Sequence, residues 1–148
     1  MSDFNSFDEL FDKLEEDMLS VVNNELKEET EETLHSLSKD IGEMYPNKTW
    51  ENRYDRNPND EDAFENRRNI VSDLYKDRNE ITLETYNIAK GEMFDSDFYL
   101  DEIIESGEGY QYGNPPPRPV VGMTQEIIDI KANDIINNGL KRRGWNIE

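Results

Sequence analysis

The stretch Asn69–Ala89, NIVSDLYKDRNEITLETYNIA, decides how this chain folds. From Ile81 to Ala89, the residues Ile81, Leu83 and Thr85 alternate with Thr82, Glu84 and Tyr86, and β-branched and aromatic side chains dominate. A period of two places one set on each face of a pleated strand. Asn69–Leu74 has the same character, and the link Tyr75–Glu80 is short and polar. The pair predicts an antiparallel hairpin. Helical periodicity brackets it on both sides, so the expected class is α+β. A long N-terminal helix and a C-terminal helix pack on a small antiparallel sheet.

The N-terminal helix is expected from Ser6 to about Ser38 or beyond. Ser6-Phe7-Asp8-Glu9 fits a capping box, in which the serine hydroxyl serves an early backbone N–H and Glu9 reaches back. Phe7, Leu10, Phe11, Leu14, Met18, Val21, Val22 and Leu26 follow at spacings of three and four, which makes one apolar stripe. The stripe weakens at Thr30 and Thr33 and returns at Leu34, Leu37, Ile41 and Met44. The glutamate-rich run Leu26–Leu34 reads as either a solvated helical stretch or a break between two helices. An unbroken helix of this length spans roughly 50 Å. That exceeds a domain of this size, so part of it is expected to lie on a neighbouring subunit.

Residues 45–66 have loop chemistry, because Tyr45-Pro46 and Asn57-Pro58 disfavour helix before each proline. Tyr45, Trp50, Tyr54 and Phe64 are the side chains that would tack this loop to the body. Residues 97–106 read as a short helix or irregular turn, 108–113 as a further strand, and Val120-Val121 as another short one. Thr124 is expected to cap a helix through about Asn138, with Ile127, Ile128, Ile130, Ile135 and Ile136 on its apolar side. Asn138-Gly139 ends it. The chain is thus one domain over 1–148. It comprises a long N-terminal helical region at 1–44, a polar loop at 45–66, an α+β core at 67–138 and a basic C-terminal tail at 139–148.

Leu100–Val121, LDEIIESGEGYQYGNPPPRPVV, is the most unusual segment. Its prolines and glycines exclude a helix interior. Tyr110 and Tyr112 are too large and apolar for a flexible linker. A stiff aromatic loop between two helices is expected to grip a partner.

The formal net charge of −19 over 148 residues excludes binding to nucleic acid by phosphate neutralisation and disfavours anionic membranes. It leaves solubility, a basic protein partner or mimicry of nucleic acid. The absence of cysteine removes disulfides, thiolate catalysis and thiolate-bound zinc. No apolar run approaches the roughly 18 residues of a membrane span. The acidic N-terminus is unlike a signal peptide.

Candidate chemistry is sparse. His35, the sole histidine, reads as a surface helix residue and has no second histidine for a metal or catalytic pair. Asp55–Asn66 offers oxygen ligands at alternate positions, as a calcium loop does. However, Asp60 stands where the turn needs glycine and Asn66 where a bidentate glutamate belongs, so it reads as a solvated loop. Carboxylate pairs such as Asp101/Glu105 and Glu15/Asp17 carry no information in so acidic a chain. Gly107–Gly113 lacks the order and the lysine of a phosphate loop. Lys141-Arg142-Arg143 reads as cations at a helix end that satisfy its dipole and meet acidic surface. The acidic first helix keeps a clear apolar face, which favours a solvated outer face over mimicry of DNA. No catalytic, cofactor-binding or metal-binding residue is expected, nor a small-molecule substrate.

The element order and the C-terminal motifs resemble a family of small tailed-bacteriophage proteins known as head–tail joining, neck or tail-completion proteins, whose fold is similar to that of tail terminators. The matching residues are Ile103-Ile104-Glu105-Ser106-Gly107-Glu108-Gly109-Tyr110, then Arg118-Pro119-Val120, then the helix from Thr124. Val120 stands where the family often has a large aromatic residue. The resemblance implies a non-enzymatic virion structural protein, made in the host cytoplasm and placed at the head–tail junction. It implies a homo-oligomeric ring, hexameric, between portal-side connector proteins and the tail tube protein, through which DNA passes without specific binding. The residues expected at subunit or partner contacts are Phe7, Phe11, Leu14, Tyr110, Tyr112, Arg118, Pro119 and Trp145.

Overall fold

The computed structural model describes residues 6–39, 64, 66–93, 96–99 and 120–147. Ser6 is the N-cap of the first helix. Its backbone is extended and its Oγ accepts the Glu9 N–H at 3.2 Å. Helix α1, Phe7–Val21, passes through a π turn at Val22–Leu26 into α2, Lys27–Lys39. Of the two readings of the glutamate-rich run, the continuous helix is the one the chain adopts.

The π turn explains why the stripe persists so long. Positions 22, 26, 30, 34 and 38 follow steps of four, and each such step overshoots an ideal turn by about 40°. A wider turn winds part of that drift back. Val21, Val22, Leu34 and Ser38 are consequently all buried. The hydroxyls of Thr30 and Ser38 return hydrogen bonds to the carbonyls four residues earlier, at 2.7 Å each, so the stripe carries them without orphaned donors.

The expected hairpin is present. Strands β1, Ile70–Asp77, and β2, Glu80–Asn87, run antiparallel from the pair Ile70↔Asn87 to the pair Asp77↔Glu80. The connection is tighter than its sequence suggests. Only Arg78 and Asn79 form the loop, with Arg78 at φ +52°. Tyr75, Lys76 and Asp77 belong to the ladder because its far end is exposed, where charged residues pair at no desolvation cost. Ser72 and Thr85 share a hydroxyl bond at 2.7 Å across the strands. Strand β2 stops at Asn87 rather than at Ala89, since Asn87 Oδ1 accepts the Ala89 N–H and turns the chain.

A second hairpin follows: β3, Lys90–Met93, pairs with β4, Ser96–Tyr99. Residues 97–99 are therefore strand, not the expected short helix or turn. Phe98 and Tyr99 are strand formers, and backbone pairing with β3 decides their state. The expected strand at 108–113 lies outside the described residues.

Helix α3, Val120–Arg142, starts before Thr124 and ends beyond Asn138. Val120-Val121 form its first turn instead of a strand. Val120 is fully buried in a core with Leu34, Phe64, Ile70 and Ala89, with Leu37 packed on it, and that burial overrides the local β preference. Thr124 is no cap but a second-turn residue whose hydroxyl donates to the Val120 carbonyl at 2.8 Å. Gly139 does not end the helix. It lets α3 approach α1, because a Cβ there would stand 2.7 Å from a Val21 methyl. The stop is Gly144, at φ +95°. The Trp145 N–H reaches the Leu140 carbonyl at 3.1 Å and the Gly144 N–H reaches Lys141 at 3.0 Å, the paired bonds of a Schellman ending. The region beyond 138 is thus helix first and tail only from Arg143. Ile128 is buried while Ile130 is 81% exposed, so Ile130 is not on the apolar side. Two residues rotate a helix by about 200°.

Phe64 is the part of the polar loop that tacks to the core, held further by Asn87 Nδ2 donating to its carbonyl at 2.8 Å. Tyr45, Trp50 and Tyr54 lie outside the described residues, as do the candidate calcium positions 55–62.

Candidate interaction surface

Helices α1–α2 and α3 run antiparallel, and polar contacts mark the alignment. Lys131 reaches Glu29 at 2.9 Å, Arg143 reaches Glu25 at 2.7 Å, and the Trp145 indole N–H donates to Asp17 at 2.8 Å. Arg143 is the hub of this seam. Its guanidinium also donates to Glu25 Oε2 at 3.2 Å, to the Ser20 hydroxyl at 3.0 Å and to the Gly139 carbonyl at 2.9 Å. Both arginines of the basic cluster therefore meet acidic groups of their own chain: Arg142 adds a looser contact to Glu25 at 3.6 Å. Trp145, expected at a partner contact, is half-buried, and the Schellman ending folds it back onto α1, where its indole N–H meets Asp17.

Charge at the seam follows from these contacts. Burial pushes the Asp17 carboxyl up, but the Trp145 bond, the bond and charge of Lys13 at 3.2 Å and the charge of Arg143 outweigh it. Asp17 titrates below its ordinary value. The Arg143 hydrogen bonds hold Glu25 below the usual range against its own desolvation. They hold Arg143 above its ordinary value in return. Desolvation of Arg67 is likewise overcome by Glu31 and Glu32, at 2.5 and 3.2 Å. Asp17 and Glu25 are thus held in the ionised form by their structural partners.

The seam and the hairpin end before α1 does. Trp145 is level with Asp17, and Lys76, near the hairpin tip, pairs with Glu15. The helix before Glu15 runs past both. On this overhang Phe7 is 78% and Phe11 61% exposed, while Leu14 at its base is half-buried. Spaced by four, the two rings are neighbours on the helix surface. They are the two expected contact residues that the fold leaves open. Tyr110, Tyr112, Arg118 and Pro119 lie outside the described residues.

Sequence reasoning missed a groove of about 400 Å³ between the helices and β2. Its apolar walls come from Met18, Val22 and Leu26 on one side, Ile128 on another, and Ile81 and Leu83 from the strand. The signal was present, since the face of β2 carrying Ile81, Leu83 and Thr85 was legible. What covers that face was not. At the tip of the hairpin, Asn79 lines the same groove, and Arg78, its neighbour in the turn, is exposed. His35 sits half-buried in α2. Among the described residues no helix is long and apolar enough to cross a membrane. No family model matches the chain, and neither the curated proteins nor the solved structures yield a significant match.

Proposed function

We propose that this chain is a structural virion protein of a tailed bacteriophage, acting by protein–protein contact in a homo-oligomeric ring at the head–tail junction. The observation that carries the contact role is the overhang. Among the described residues, a helix start bearing two exposed phenylalanines extends beyond the C-terminal helix and the hairpin that cover the rest of the helix. Exposed aromatic pairs of this kind are anchors that fill a partner's pocket. The placement in the virion rests on the resemblance of Ile103–Tyr110, Arg118-Pro119-Val120 and the helix that follows to phage joining proteins. Portal-side connector proteins and the tail tube protein are the neighbours this reading supplies, and the acidic surface suits a lumen through which DNA slides without being held.

Mimicry of DNA is the competing use of so much acid. The ion pairs weigh against it: Asp17, Glu25, Glu29, Glu31 and Glu32 are all paired with cations of the same chain, which lowers their value as a phosphate-like array. Mass spectrometry of purified virions whose genome encodes the chain tests the reading. The chain is expected in the particle in a fixed copy number. Its absence from the particle, with salt-dependent competition against DNA for a nuclease, would replace the structural reading with the inhibitor.

A further inference from the structure

The overhang and the groove belong to one chain and are complementary. The overhang offers two aromatic knobs flanked by Asp8 and Asp12, which hold no partner among the described residues. The groove, of about 400 Å³, offers apolar walls and room for two phenyl rings; Asn79 lines its hairpin end, and the next residue in the two-residue turn is Arg78, an exposed cation with no partner among the described residues. The π turn lies beside it, and both Val22 and Leu26 of that turn contribute to the wall. Wide helical turns of this type are frequent where a helix surface is used. A chain of net charge −19 repels its own copies, so a contact between copies needs both apolar burial and a local cation. This pairing supplies each.

We infer that the occupant of the groove is the N-terminal helix end of a second copy of this chain, with Phe7 and Phe11 inserted against Ile81, Leu83 and Met18, and with Asp8 and Asp12 facing Arg78. The inference rests on the ring reading and specifies its contact. Knob and groove are different patches, so the contact passes from copy to copy and closes into a ring when the rotation permits.

Sedimentation equilibrium over a wide concentration range tests it. The full chain is expected to self-associate. The double variant F7S/F11S is expected to raise the dissociation constant about 100-fold, the loss of two buried aromatic anchors, with an unchanged melting curve. R78E is expected to weaken association about 10-fold, and D8K/D12K to restore it in the R78E background. Because the chain has no cysteine, mixing F11C with separately purified N79C gives an unambiguous readout. A mixed disulfide between unlike chains is expected. If the unaltered chain assembles but F7S/F11S assembles equally well and no mixed disulfide forms, this contact is wrong while the ring reading stands. If the unaltered chain stays monomeric at every concentration, the contact is wrong as well, and virion mass spectrometry decides the ring reading separately.

Discussion

Gly139 and Val21 touch so closely that a Cβ on the glycine would lie 2.7 and 2.8 Å from the two valine methyls. Both residues are buried, and Val21 is fully enclosed. Gly139→Ala gains about 1 kcal/mol of helix propensity but overpacks a β-branched side chain with nowhere to move, at about 2–3 kcal/mol. The net expectation is a loss of about 1–2 kcal/mol by urea unfolding. Val21→Ala in the same chain should recover part of that loss, and the double-mutant cycle measures the contact.

Gly144 is the contrasting glycine. Nothing lies within 4 Å of a Cβ there, but its φ is +95°. Gly144→Ala is expected to cost about 1 kcal/mol through backbone strain alone, and no second-site truncation should relieve it. Gly144→Asn should cost less than alanine, as measured by the same unfolding transition.

The two arginines at the end of α3 are expected to be unequal. Arg143 holds Glu25 with two bonds, at 2.7 and 3.2 Å, and is half-buried, whereas Arg142 reaches Glu25 only at 3.6 Å from an exposed position. Arg143→Ala should lose about 1–3 kcal/mol and Arg142→Ala under about 0.5. Equal effects in thermal unfolding would show that the seam is held by net charge rather than by geometry.

Asp17 and Glu25 set the acid limb of stability. Both titrate lower in the folded chain than in the unfolded one. Their stabilisation is therefore complete above the ordinary carboxylate range near pH 4 and is lost as pH falls through their depressed folded values. Comparing the parent with D17N/E25Q isolates the seam. The variant should be the less stable of the two at pH 7, and the gap should close below pH 4. A gap that stays constant with pH would assign the loss to packing.

What the sequence made legible depended on how local the cause is. The Ser6 cap, the long helix and the 69–89 hairpin follow from neighbours along the chain, and each is present. The ends of α3 were misread because their causes are distant. Val120 is helical because Leu34, Phe64 and Ile70 bury it, and Gly139 is glycine because Val21, more than a hundred residues earlier, leaves no room for a side chain. The open phenylalanines could be named from the sequence, but not their exposure, which depends on α3 and the hairpin stopping level with Asp17 and Glu15. The inward hydrogen bond of Trp145 to Asp17 was equally hidden, because its direction is set by the left-handed backbone of Gly144.

The π turn at Val22–Leu26 makes one residue an angular setting. Everything before it, including Phe7, Phe11 and Asp17, is phased relative to everything after it by the wider winding of those five residues. Deleting one of them would leave a continuous helix but rotate its front end by about 100°. Gly139 would lose its place beside Val21 and the phenylalanines would aim elsewhere. Substitutions in this chain adjust what the protruding end displays, whereas a one-residue change in length at the turn redirects the whole end relative to the body of the protein.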